Sequence, residues 1–131
     1  MGLPHGPPVD EDPAGAWRVH CDGVQAVLDD PRTGDREHSN PHTGSLPLAA
    51  AIDRFYTTDV FLHTWDLARA TGQDARLDPA FCADLLAGME PMDAVLRASG
   101  HYGPRVEVPE GADAQTRLLG FIGRDPFWSP R

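Results

Sequence analysis

Apolar residues recur along this chain at helical rather than strand spacing. Trp17, His20, Cys21, Val24, Val27 and Leu28 follow one another at three- and four-residue steps, which predicts one core-facing stripe on a first helix. Asp12 before Pro13 supplies a cap and a first-turn proline for its start, and Asp29-Asp30-Pro31 ends it. Residues 32–44 are polar and carry Gly34, Pro41 and Gly44, which predicts an irregular connection. A second, long helix is expected over residues 45–71, with the Ser45 hydroxyl as cap, Pro47 in the first turn and Gly72 as the stop. Leu48, Ile52, Phe55, Asp59, His63 and Asp66 share one of its faces, and Phe55, Thr58, Leu62 and Trp65 line the next. Two usable faces suit the central member of a bundle.

Asp78-Pro79 repeats the cap-plus-proline signature and opens a third helix. Its stripe is Phe81, Cys82, Leu85, Leu86, Met89, Met92, Val95 and Leu96, and Pro91 inside it predicts a kink. Residues 101–111 read as extended, with Val106 and Val108 alternating. A short last helix over residues 113–122 packs Leu118, Leu119, Phe121 and Ile122, and Phe127 and Trp128 are expected to fold back onto the core. The pattern thus predicts an all-α chain of three main helices plus a short C-terminal one. Residues 1–12, rich in Gly and Pro, are expected to form a flexible arm, and residues 13–131 a single helical domain.

Charge narrows the functions open to such a domain. The net charge is −9 and no Lys/Arg cluster occurs, which argues against nucleic acid and against anionic membrane surfaces as partners. No apolar run is long enough to span a bilayer, and the first residues lack the apolar core of a secretory signal, so a cytoplasmic protein is expected. Cys21 and Cys82 form no C-x-x-C pair and read as small buried hydrophobes. Nucleotide-binding glycine loops and the G-x-S-x-G elbow are absent.

The candidate chemistry lies in the second helix. On a helical projection Asp59 and His63 are about 40° apart and Asp66 about 20° from Asp59, so all three share a face. Because the surrounding helix is apolar almost all round, this face is expected to be buried, and buried ionisable groups need partners. An Asp and a His one turn apart can reach one divalent ion; the same spacing also makes ordinary surface ion pairs. A catalytic zinc takes three protein ligands. His20, on the stripe of the first helix, is the candidate third ligand, although a His on such a stripe is more often a core packing residue. His38 and His42 fall in the connection, His101 follows the third helix, and His5 lies in the arm. Asp66 is an acceptor that orients an imidazole N–H, or a base, or else the structural partner of Arg69 or Arg97. Arg105 could hold an acidic ligand or simply lie on the surface.

The string Asp59-Val60-Phe61-Leu62-His63-Thr64-Trp65-Asp66-Leu67-Ala68-Arg69-Ala70-Thr71-Gly72 resembles the DinB-like superfamily of metal-dependent helical proteins. The branch it resembles contains mycothiol-dependent maleylpyruvate isomerase. Ala16-Trp17-Arg18, Leu77-Asp78-Pro79, Glu90-Pro91-Met92-Asp93, residues 98–109 and residues 116–124 extend the resemblance. It implies a DinB/YfiT-like four-helix bundle that holds a divalent metal, often zinc, through one His of the first long helix and an acidic residue and a His four apart on a later one. Asp59 and His63 match that later pair. It further implies thiol-dependent isomerase or transferase chemistry with a small thiol such as mycothiol. In this family a long helix with its own His precedes the position of residue 8, so the chain is expected to lack one bundle helix and one ligand. An apolar groove would then remain on the second helix, and a homodimer is expected to fill it. The alternative is a non-catalytic helical module that dimerises or binds a partner helix.

Overall fold

The computed structural model describes residues 5–40 and 44–130. The described residues are largely helical, with one two-stranded sheet among them. It forms two compact units, the first ending at Asp59 and the second beginning at Val60.

In the first unit, helix α1 (Pro13–Asp29) starts where its cap predicts, with Asp12 Oδ1 accepting the Gly15 N–H at 2.8 Å. Its inward face keeps half of the predicted stripe. Cys21, Val24 and Val27 are half-buried, beside buried Gly23 and half-buried Ala16 and Val19, whereas Trp17 is 64% and Leu28 47% exposed, and His20 is exposed. A Cβ on Gly6 would sit 2.8 Å from the Ala16 Cα, so the backbones approach closely at position 16, where a small residue faces inward.

Residues 32–40 and 44 are more regular than expected. A 3₁₀ turn (Pro31–Asp35) is capped by Asp30 and tied back by the Thr33 hydroxyl, which donates to the Val27 carbonyl. Strands β1 (Glu37–Asn40) and β2 (Gly44–Pro47) then pair antiparallel, with Glu37 opposite Pro47 and Asn40 opposite Gly44. Ser45 is therefore no helix cap; it lies in β2 and its hydroxyl donates to Glu37 Oε2 at 2.9 Å. His42 lies outside the described residues.

The long helix is present but begins later and changes pitch. It runs as α2 (Leu48–Ala51), a π-helical segment (Ile52–Thr57) and α3 (Thr58–Ala70). A π turn takes up extra residues and rotates everything before it relative to the 3.6-residue register. The face drawn through Leu48, Ile52 and Phe55 therefore does not continue into Asp59 and His63, and Phe55 is 42% exposed.

The second unit holds a shared core. Leu62 and Trp65 of α3 pack with Cys82, Leu86 and Met89 of α4 (Pro79–Met89) and with Leu118, Leu119 and Phe121 of α6 (Ala114–Phe121), extended by Ile122. Asp78 Oδ1 caps α4 through the Phe81 N–H at 2.7 Å, and Asp113 Oδ1 caps α6 through the Thr116 N–H at 2.7 Å. Pro91 breaks the third predicted helix as expected: a 3₁₀ turn (Glu90–Met92) separates α4 from α5 (Asp93–Ala98). Extended residues before α6 lie against it, with the Val106 N–H donating to the Gly120 carbonyl at 2.9 Å. Only glycine fits there, since a Cβ at residue 120 would meet Val108 Cγ1 at 2.6 Å and the Val106 carbonyl oxygen at 2.7 Å. Phe127 and Trp128 do not return to the core; they are 64% and 45% exposed.

Candidate functional site

Helix α3 buries one side only. Leu62, Trp65 and Ala68 face the core, while Val60 and Leu67 are 50% and 64% exposed on the other side. Apolar residues all round had predicted a buried helix; here half of them meet solvent. Asp59 and His63 lie on that outer side, and the His63 side chain is 62% exposed. The burial expected for this pair is thus corrected to an exposed helix face.

Asp66 stands at the boundary between the two sides, its side chain 35% exposed. Its Oδ2 lies 2.7 Å from His63 Nδ1. Arg124 Nε donates to Oδ1 and Arg124 Nη2 to Oδ2, each at 2.7 Å. Burial pushes the Asp66 carboxyl up, but the hydrogen bonds and charge of Arg124, reinforced by His63, prevail and hold it below the ordinary carboxylate range. Asp66 thus contacts the His63 imidazole, and its arginine partner is Arg124 rather than the expected Arg69 or Arg97.

Backbone chemistry at the end of α6 puts Arg124 there. Gly123 has φ +87°, its N–H donates to the Gly120 carbonyl at 3.2 Å, and the Arg124 N–H donates to the Leu119 carbonyl at 2.9 Å. This is the paired bonding of a Schellman stop, which fixes the direction of the next residue. A Cβ on Gly123 would also lie 3.0 Å from the Gly103 backbone. The same stop ends α3, where Gly72 has φ +69° and the Gln73 N–H donates to the Ala68 carbonyl at 2.8 Å. Sequence reasoning gave Arg124 no role. The signal was there in Gly123-Arg124 directly after an apolar helix end, but its partner is 58 residues away.

The other candidates fall elsewhere. His20 is exposed, with its ring 6.2 Å from that of Trp17, which corrects its expected place on a core-facing stripe. His38 packs edge-on to Phe55 at 6.5 Å, and His101 is exposed. Arg69 donates through Nη2 to the Trp128 carbonyl, and its buried Nε has no hydrogen-bond partner among the described residues. Arg97 and Arg105 share Asp93, at 3.0 Å and 3.1 Å, and both guanidinium groups lie over the Phe121 ring. That pairing gives Arg105 a structural role. Cys82 is fully buried, and burial, with the charges of Asp78 and Asp113, pushes its thiol up to about 11. Among the described residues no group of three or more His, Cys, Asp or Glu is placed to hold a metal ion. Among them too, no helix is long and apolar enough to cross a membrane.

No family model matches the chain, and no solved structure matches it. It is similar to uncharacterised proteins of two Mycobacterium tuberculosis strains, CDC 1551 and H37Rv, at 36% identity over 88 residues, 63% of this chain and 48% of each relative. The chain spans about half the length of these curated relatives.

Proposed function

We propose that this chain belongs to a DinB-like, divalent-metal-binding helical protein in which Asp59 and His63 supply two of the metal's ligands. The observation that carries this reading is the 2.7 Å contact between His63 Nδ1 and Asp66. An imidazole that donates Nδ1–H to a carboxylate offers Nε2 as its ligand atom, and this is how metal-binding histidines are commonly oriented. A carboxylate and an imidazole suit zinc. Two ligands fall short of the three that a catalytic zinc takes, so binding by this chain alone is weak. Bound there, the metal would lower the pKa of a coordinated water or thiol, the chemistry of a mycothiol-dependent isomerase or transferase. The four-helix bundle of that family is the architecture that goes with this reading.

Calorimetric zinc titration tests the reading. The native chain is expected to bind zinc, and His63→Ala to lose most of that affinity. Absence of heat in the native protein overturns it.

Exposed Val60 and Leu67 favour a second reading, a non-catalytic module whose outer α3 face docks a second copy or a partner helix. Sedimentation at micromolar concentration decides on the second copy: a dimer supports it, and a monomer that stays monomeric counts against it.

A further inference from the structure

We infer that Arg124 is a positioning residue for His63 and that it acts through Asp66. The inference rests on the ligand role proposed for His63. Arg124 Nε and Nη2 meet the two Asp66 oxygens at 2.7 Å each, the two-pronged geometry by which a guanidinium grips a carboxylate in its own plane. The grip stops rotation of the carboxylate, so Oδ2 stays 2.7 Å from His63 Nδ1. A carboxylate paired with a guanidinium accepts hydrogen bonds, so the His63 nitrogen that faces it, Nδ1, is the one that carries the proton. Nε2 is then left with the lone pair that a metal takes. The direction of the Arg124 chain comes from the glycine stop of α6, so the end of that helix sets the orientation and tautomer of a side chain on α3. A lysine cannot reproduce this, because an ammonium is a point charge and does not fix a carboxylate plane.

The test uses the full chain with Arg124→Gln and Arg124→Lys, each checked for native helicity by circular dichroism. The first readout is the tautomer of His63 in metal-free protein, read from its ring ¹⁵N shifts at a pH where the imidazole is neutral. The native protein is expected to show the Nδ1–H form, Arg124→Gln a mixture of both forms, and Arg124→Lys an intermediate. The second readout is zinc affinity by calorimetry, expected to fall about tenfold in Arg124→Gln, at the lower end of what loss of an outer partner costs. A native-like tautomer and an unchanged affinity in both variants would reduce Arg124 to a strut between helices and overturn the inference. A native protein that binds no zinc defeats the ligand role of His63, and the tautomer measurement alone then decides the role of Arg124. Should Arg124→Gln fail to fold, the charge-retaining lysine variant carries both readouts.

Discussion

Asp66 and Arg124 are joined by two hydrogen bonds of 2.7 Å although 58 residues separate them in the chain. The pair links the side of α3 that faces the core to the side that faces water, and it is the point at which fold and candidate chemistry meet. Its stability and pH behaviour follow from the position of Asp66.

The folded-state pKa of Asp66 lies below its unfolded value, so the unfolded chain binds the proton more readily. The pair's contribution is therefore complete above about pH 4, the ordinary carboxylate value, and is lost as pH falls through the lower folded value. Asp66→Asn is expected to cost about 1–3 kcal/mol at neutral pH, less than for a fully buried pair because Asp66 is partly exposed. Urea denaturation of both proteins at neutral and strongly acid pH checks this. The gap between their midpoints should shrink in acid, and a gap that stays constant would contradict the assignment.

Glycines 120 and 123 are expected to resist substitution for different reasons. At 120 a methyl group meets Val108 and the Val106 carbonyl in the extended segment packed on α6. At 123 an alanine must take φ +87° and also approaches the Gly103 backbone at 3.0 Å. Each alanine variant is expected to lose about 1–3 kcal/mol in a denaturant titration. Only Gly123→Ala should also shift the His63 ring resonances, because it redirects Arg124.

Much of the helical frame is legible in the sequence because caps are local. Asp12-Pro13, Asp78-Pro79, Asp113 and Gly72 each satisfy orphan backbone groups within a few residues, and the helices start or stop at those positions. What depends on distant partners is not legible. The β1–β2 hairpin is short and polar, so its alternation carries no strong apolar signal. On α1 the exposure of Trp17, His20 and Leu28 is not legible, because size-based periodicity does not register the close approach of the Gly6 and Ala16 backbones that turns a small residue inward. The outward placement of Asp59 and His63 could not be read either, since Val60 and Leu67 are as apolar as the residues α3 buries.

The two thiols should differ sharply in reactivity. Cys82 has no exposed surface and its thiol is pushed up to about 11, whereas Cys21 is half-buried on α1. A thiol-disulfide exchange reagent at neutral pH is expected to modify Cys21 in the native protein and Cys82 only on unfolding. Mass mapping of the modified residues settles it, and rapid labelling of Cys82 in folded protein would contradict the core described for the second unit.

His20 supplies the last discriminating experiment. As a metal ligand it would have to approach a second donor, yet it is exposed on α1 beside Trp17, and among the described residues no third His, Cys, Asp or Glu joins a metal-holding group. His20→Ala is therefore expected to leave the zinc affinity of the chain unchanged, while His63→Ala lowers it. Its stability effect should stay within about 0.5 kcal/mol, since it is a surface substitution. Parallel calorimetric titrations of the two variants check both points. A loss of affinity in His20→Ala that matches the loss in His63→Ala would make His20 the third ligand.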